Sequence, residues 1–240
     1  MPYLYAIGET SARALPQVGG VGGAPPEALP LGGIVLVLGR ATRLPEDRLA
    51  ALCRHEAVVE ALMATRAVLP FRFGTLVADL EAVTVAIGSN LPAILGNLRR
   101  VAGCVELGLV AGEGRCRATR RDRDDAVPTA GSGRDYLARL CREDAALSRG
   151  ARDLAARVAA LDARLRQLSR CGRRLAGGRS GGPLRFTYLV PAGAVSRFRR
   201  EVGAARRDLR MPMLFASGPW PPYSFVEDGV LPPSQDLVVR

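Results

Sequence analysis

The side chains best suited to chemistry are few in this sequence, and their spacing matches no metal-binding pattern. The chain holds one histidine, His55, which stands directly before Glu56. These two residues match the first positions of the H-E-x-x-H zinc-protease helix, but the second histidine, due at position 59, is Val59. A metal site of the usual histidine-rich kind is therefore not expected, and we interpret His55 as a polar residue on the flank of a helix.

Nucleophile and phosphate motifs are missing as well. No serine lies in the G-x-S-x-G pattern of a nucleophile elbow. The glycine-rich stretch 19–23 lacks the lysine of a phosphate-binding loop, and the sequence contains no lysine at all. Its carboxylates cannot be paired from the sequence alone; examples are Glu9, Glu56, Glu60 and Glu106. We therefore predict no catalytic residue, no metal and no cofactor.

The most distinctive segment is 217–226, which contains the only tryptophan of the chain. Trp220, Tyr223 and Phe225 lie within six residues and are interleaved with three prolines. Proline fixes φ and removes a hydrogen-bond donor, so we predict a stiff, extended, apolar ribbon that is neither helix nor central strand. Two interpretations remain open. The rings close over the protein's own core, or they bind a partner protein, which makes these three residues the candidate contacts.

The composition describes a folded chain with a strong positive charge. Of 240 residues, 48% are hydrophobic, and 34 basic residues outnumber 23 acidic ones to give a net charge of +11. Every basic residue is arginine, which is typical of GC-rich coding and weakens the inference from high pI to nucleic acid. The charge still predicts attraction to acidic surfaces. Five cysteines without a C-x-x-C motif or a secretion signal indicate reduced cytosolic thiols, and no apolar run is long enough to span a membrane.

The first hundred residues predict one α+β layer in which strands and helices alternate. A flexible connection is expected at 16–33, and the helix that starts near residue 45 carries apolar residues at helical spacing: Leu49, Leu52, Cys53, Val59, Leu62 and Met63. The predicted strands are 3–7, 34–38 and 67–73, and the predicted helices are 45–65, 76–87 and 91–101.

The second half predicts another α/β layer built around a long helix. Strands are expected at 104–110, 184–190 and 211–217, with a helix at 195–209. The charge run at 115–125 is interpreted as a solvated loop, with a patch for a phosphate or an acidic partner as the alternative.

The long helix is expected over 134–175, where a heptad seam repeats. The seam either packs within the chain or provides a surface for self-association. Its positions are Leu137, Leu140, Asp144, Leu147, Ala151, Leu154, Val158, Leu161, Leu165 and Leu168.

Taken together, these segments resemble the gas vesicle protein L/F family along nearly the whole chain. The Leu-Pro-Phe-Arg-Phe-Gly-Thr block at 69–75 and the Gly-Pro-Trp-Pro-Pro-Tyr-Ser-Phe block at 218–225 are the specific ones. The others are Tyr-Leu-Tyr at 3–5, His55-Glu56, Val-Glu-Leu-Gly at 105–108 and Gly-Arg-Asp-Tyr-Leu at 133–137.

The resemblance implies two α/β domains, a ferredoxin-like one at 1–102 and one with a long helix at 103–217, followed by an extended tail at 218–240. It further implies no catalytic activity and no cofactor. Members of the family are accessory or minor structural proteins of gas vesicles, and they contact the hydrophobic shell protein and other accessory proteins during assembly. The implied location is therefore the gas vesicle within the cytoplasm, with no membrane and no nucleic acid as partners. The alternative hypothesis is a basic nucleic-acid-binding module with a ferredoxin-like sheet.

Overall fold

The structure, a computed structural model, describes residues 1–10, 14–41, 43–112, 152–175 and 183–227. The chain divides into two compact units, one formed by Met1–Glu106 with Pro219–Arg240 and the other by Leu107–Gly218. The charge run at 115–125, the seam positions before residue 152 and the tail after residue 227 lie outside the described residues. The predicted domain limits at residues 102 and 217 remain a prediction.

The first unit is built on a four-stranded antiparallel sheet. Its strands are β1 (Pro2–Glu9), β2 (Glu27–Leu31), β3 (Ile34–Arg40) and β4 (Val68–Pro70), arranged in the order β2-β3-β1-β4. Ferredoxin-like sheets use this strand order, but the described part of the β1–β2 connection contains no helix. The ferredoxin-like assignment of this unit remains a prediction.

Strand β2 corrects the expectation of a flexible connection over 16–33. Leu31 pairs with Ile34, so Gly32 and Gly33 form a two-residue hairpin loop, with φ of 55° and 94°. Such loops need positive φ at both positions, and glycine adopts it without steric cost. The Gly-Gly pair directly before the buried strand β3 was therefore a usable hairpin signal.

Three helices lie among the described residues of the first unit, one between β3 and β4 and two after β4. They are α1 (Arg48–Met63), α2 (Leu80–Ser89) and α3 (Leu91–Val101). Asp47 and Asp79 begin the first two helices, because each side chain accepts a hydrogen bond from a backbone N–H of the first turn. Helices α1 and α3 both pack against β1 and β4.

The buried face of α1 differs from the predicted one. Leu49 and Leu52 are exposed, with 71% and 37% of their surface accessible, and Cys53 is exposed as well. The core side is instead formed by Ala51, His55, Val58, Val59 and Leu62. Since α1 has apolar residues on both sides, periodicity alone could not say which side meets the sheet.

The second unit contains another four-stranded sheet with helices. Its strands are β5 (Cys104–Gly112), β6 (Cys171–Leu175), β7 (Leu184–Pro191) and β8 (Met213–Trp220), in the order β6-β7-β5-β8, with β6 and β7 antiparallel. The helices among its described residues are α4, over residues 152–167, and α5 (Val195–Asp208). Tyr188 on β7 contacts both, because its hydroxyl donates to Asp162 at 2.7 Å and its ring packs on Phe198.

The described part of the long helix ends earlier than predicted. Residues 171–175 form β6 rather than the last turns of a helix, since they pair with β7 from Cys171–Leu189 to Leu175–Arg185. The four seam residues inside α4 are buried, which places this part of the seam in the core: Leu154, Val158, Leu161 and Leu165. Of the helices in the described residues, none has the length and apolar character needed to cross a membrane.

Candidate partner-binding site

The aromatic segment begins at an edge strand and ends in a short turn. Strand β8 lies at the edge of its sheet and runs through Pro219 to Trp220, which fits the preference of proline for edge strands. Tyr223–Phe225 then form one turn of 3₁₀-helix. The segment is thus extended only up to Trp220. We call residues 221–227 the strap.

A chain of hydrogen bonds fixes Tyr223 to the first unit. The Tyr223 hydroxyl donates to Glu56 Oε1 at 2.9 Å and lies 3.0 Å from His55 Nε2. His55 Nδ1 lies 2.9 Å from the Tyr3 hydroxyl, which accepts the backbone N–H of Gly74 at 3.0 Å. A neutral His55 with its proton on Nε2 satisfies the whole chain, since Tyr3 then donates to Nδ1 and Nε2–H donates to Tyr223.

Burial explains the electrostatics of this chain. It lowers the pKa of His55 to about 4, with the Phe71 carbonyl acting in the opposite direction, so the imidazole is neutral at pH 7. Burial also raises the pKa of Glu56, and nearby Glu60 adds to the rise, whereas the hydrogen bond from Tyr223 opposes it. Glu56 Oε2 is buried without a hydrogen-bond partner. The hydrogen bond from Tyr223 to Oε1 is therefore important for keeping this carboxylate buried.

Glu106 accepts two hydrogen bonds from Ser224, the next residue of the strap. Its Oε2 accepts the backbone N–H of Ser224 at 2.8 Å, and its Oε1 accepts the Ser224 hydroxyl at 2.7 Å. The Glu106 side chain belongs to a buried residue of β5. A buried carboxylate is tolerated when both oxygens are hydrogen-bonded, and charge-assisted bonds of this kind are about twice as strong as neutral ones.

Helix α3 holds the end of the strap. The Arg100 guanidinium donates to the carbonyl of Phe225 and forms an ion pair with Glu227 at 3.3 Å. Asn97 donates to Glu227 at 3.3 Å and accepts from Arg100 at 2.6 Å. The strap is thus bonded to α1, β5 and α3 in succession.

The three aromatic residues that the sequence identifies differ in how far they are buried. Phe225 is fully buried, and Tyr223 is partly buried with its hydroxyl engaged. Trp220 keeps 46% of its surface exposed. The geometry therefore supports packing for Tyr223 and Phe225, and it leaves Trp220 as the ring that is available to a partner.

His55 is more than the polar flank residue that the sequence suggested. It is fully buried, and its ring packs on four aromatic neighbours, Tyr3, Tyr5, Phe73 and Tyr223, at centroid distances of 5.6–6.4 Å. Sequence reasoning missed this cluster because its members lie up to 220 residues apart. Within the described ranges, no three His, Cys, Asp or Glu residues are placed to hold a metal ion.

Comparison with known proteins gives consistent matches over most of the chain. Residues 2–227 match the family model described as gas vesicle synthesis protein GvpL/GvpF. Gas vesicle protein L from a Streptomyces species is 31% identical over 94% of this chain and 92% of its own length. Gas vesicle protein F2 from Halobacterium salinarum is 29% identical over 76% of this chain and 71% of its own length.

Two solved structures share the fold. The crystal structure of gas vesicle protein GvpF from Anabaena sp. PCC7120 matches with a TM-score of 0.71 and 19% identity, over 94% of this chain and 95% of that one. GvpF from Microcystis aeruginosa matches with a TM-score of 0.71 and 17% identity, over 94% of this chain and 98% of that one. The mixed α/β architecture is thus shared with both. With the family match over residues 2–227, this chain belongs to the GvpL/GvpF family of gas vesicle proteins, and its role is in gas vesicle formation.

Proposed function

We propose that this chain is an accessory or minor structural protein that assists gas vesicle assembly by binding the hydrophobic shell protein, and that Trp220 is a principal contact. The family assignment supports a role in vesicle formation and association with other gas vesicle proteins. The observation that carries the finer proposal is the exposed Trp220 directly before a strap fixed by hydrogen bonds.

The anchoring of the strap supports this role for Trp220 on energetic grounds. A large ring that is half exposed gains most of its remaining burial only when a partner covers it. Because Pro221 and Pro222 are buried and the next residues are bonded to α1 and β5, little backbone freedom remains beside the ring. Binding therefore costs less conformational entropy than it would for a ring on a mobile tail.

The first unit presents a second apolar surface on helix α1. Leu49, Leu52 and Cys53 lie on one side of α1, at spacings of three and four residues, and all three are exposed. An exposed apolar stripe is a common feature of protein-binding surfaces. We propose that this stripe also contacts a gas vesicle protein.

Nucleic-acid binding gains no specific support. Single-stranded RNA is commonly bound by aromatic rings side by side on a sheet face. In the described part of the chain, the exposed aromatic rings are Phe215 and Trp220, and both lie on the edge strand β8. The proposed activity is therefore binding to protein.

The experiment that tests this proposal compares two exposed rings in a host that depends on this gene for vesicles. Trp220→Ala should abolish or strongly reduce vesicle number in electron micrographs, while Phe215→Ala, which removes a ring that is 45% exposed, should leave most vesicles in place. Thermal melting of both purified variants must stay close to wild type. Normal vesicle formation in the Trp220→Ala strain would refute the proposed contact.

A further inference from the structure

The net positive charge of the chain comes entirely from one of the two units. Residues 107–218 contain 24 arginines and 11 acidic residues, which gives +13, whereas residues 1–106 with 219–240 contain 10 arginines and 12 acidic residues, which gives −2. GC-rich coding explains why arginine replaces lysine, but it acts on both units alike. It therefore does not explain why the second unit has an excess of 13 charges and the first has none.

Helix α5 concentrates part of this charge on its solvent side. Phe198, Val202 and Ala205 are its buried residues. The opposite side carries Arg200 and Arg207, seven residues apart, so their Cα atoms lie roughly 10 Å apart along one face. Arg206 and Arg210 are exposed beside them, and none of these four guanidiniums forms an ion pair or side-chain hydrogen bond with the described residues: Arg200, Arg206, Arg207 and Arg210.

Neighbouring arginines of this unit, in contrast, have hydrogen-bond or ion-pair partners within it. Arg199 donates to the Gly218 carbonyl, and Arg157 donates to the Leu209 carbonyl at the end of α5. Arg164 forms an ion pair with Glu201 at 3.6 Å. These side chains hold the fold together, whereas Arg200 and Arg207 have no comparable partner among the described residues. Like charges three or four residues apart repel weakly on a helix, and Arg206 and Arg207 stand at these distances from Arg210.

Two positions on this face hold residues that weaken the helix. Gly203 lies between Arg200 and Arg207, and a Cβ there would meet only Arg207 Nη1, at 4.0 Å, among the described atoms. Glycine inside a helix costs about 1 kcal/mol relative to alanine. Arg210 follows the helix with a φ of 49°, a conformation that glycine or asparagine usually provides. The fold does not require either residue, although a positive charge at this end does favour the helix dipole.

We propose that the face of α5 formed by Arg200, Gly203 and Arg207, with Arg206 and Arg210 beside it, docks an acidic helical segment of a partner protein. Arginine pairs with carboxylates bidentately, and Gly203 adds no side chain of its own beside the Arg207 guanidinium, which lies next to it. Carboxylates repeated about 10 Å apart on one face of the partner helix match Arg200 and Arg207.

The face favours a protein over nucleic acid as its occupant. No exposed aromatic ring lies on α5, so the face offers charge without a surface for base stacking. The inference rests on the proposed function only in taking the partner to be a protein, and it concerns a different surface from Trp220.

The test measures binding of a labelled peptide to the full chain by fluorescence anisotropy at two salt concentrations. The probe is a helical peptide with glutamates at positions i, i+3 and i+7 on one face, and the comparison is a scrambled peptide of the same composition. Arg200→Gln with Arg207→Gln should weaken binding about tenfold, because two ion pairs are lost. The matched control removes two exposed helical arginines of the first unit, Arg48→Gln with Arg54→Gln, and should change binding less than about twofold.

Two further variants separate docking from stability. Gly203→Ala and Arg210→Gly should both raise the melting temperature, since each improves the isolated helix. Both should weaken peptide binding, because the first adds a methyl group beside the Arg207 guanidinium and the second removes a guanidinium. Unchanged peptide affinity in both would contradict the proposal.

Three other results would overturn it. They are equal losses in the α5 and control variants, equal binding of the scrambled peptide, and tighter, α5-dependent binding of a 20-nucleotide single-stranded DNA, which would indicate nucleic acid. Self-association in sedimentation that disappears in the α5 variant would assign the face to a second copy of this chain instead. Trp220→Ala should keep its affinity for the peptide, so failure of the proposed shell contact is distinguishable from failure of this inference.

Discussion

Tyr223 and Glu56 are 167 residues apart in the sequence, yet the phenol hydroxyl donates a hydrogen bond to the carboxylate at 2.9 Å. The same hydroxyl lies 3.0 Å from His55 Nε2. This contact joins the C-terminal strap to helix α1 and gives Glu56 Oε1 its partner. The position of the residues that follow Trp220 therefore depends on a buried polar cluster in the first unit.

Removal of the Tyr223 hydroxyl should destabilise the first unit. Tyr223→Phe keeps the ring but leaves Glu56 and His55 without this partner, and a buried polar group without a hydrogen bond costs about 1–3 kcal/mol. We expect the free energy of unfolding, from urea denaturation, to fall by that amount. Ser89→Ala removes an exposed hydroxyl that bonds to Val85 at 3.0 Å, and it should cost less than about 0.5 kcal/mol. Equal effects of the two substitutions would argue against a buried cluster.

His55 should make the protein acid-sensitive. Its pKa is lowered from 6.5 to about 4 in the folded chain, so the folded state binds fewer protons than the unfolded state between these values. Stability is complete above pH 6.5 and is lost as the pH falls toward 4, by up to about 3 kcal/mol. The raised pKa of Glu56 acts in the opposite sense, because its folded form binds a proton more readily.

The measurement is urea denaturation of wild type and His55→Gln at pH 7.5, 6, 5 and 4. The difference in unfolding free energy between the two proteins should shrink as the pH falls, since only wild type must protonate a buried imidazole. A difference that stays constant across this range would show that His55 does not control acid stability.

Glu106 should be the residue that contributes most to holding Ser224 of the strap in place. Glu106→Gln replaces one acceptor oxygen by a donor and removes the negative charge, so the Ser224 hydroxyl has to turn from donor to acceptor and both hydrogen bonds become neutral. We expect the Ser224 amide to exchange its hydrogen at least tenfold faster, because the charge-assisted bonds that close the strap are weakened by about 1.5–3 kcal/mol.

The control for that experiment is Glu227→Gln, at the exposed end of the strap. The Glu227 side chain keeps 52% of its surface accessible and pairs with Arg100 at 3.3 Å, so its loss should change exchange at Ser224 by less than about threefold. If the two substitutions accelerate exchange equally, Glu106 has no special part in closing the strap.

The sequence predicted most elements because their local signals are strong. Ile34–Leu38 is a continuous apolar run, the acidic residues Glu46 and Asp47 mark the start of α1, and the apolar spacing of α1 and α5 indicates helices. Strand β6 was missed because Cys171–Leu175 directly continues a helical pattern, and only its pairing with β7 makes it a strand. Local propensity contains no information about that pairing.

The site was predictable only in part. The composition of the aromatic segment identified Trp220, Tyr223 and Phe225, but not which of them would be covered. That outcome depends on Glu56, Arg100 and Glu106, whose distances to the strap follow from the tertiary fold. The face of α1 that carries Leu49 was likewise undecidable, because its exposure depends on where the sheet packs.

The most direct test of the central claim is the fluorescence of Trp220 on addition of purified shell protein. Trp220 is the only tryptophan of the chain, so after subtraction of any emission from the shell protein alone the signal reports one site. We expect a blue shift and weaker quenching by acrylamide on binding, together with at least tenfold weaker binding of Trp220→Ala and near-normal binding of Phe215→Ala. Tight binding that leaves the Trp220 emission and its quenching unchanged would show that Trp220 is not a contact.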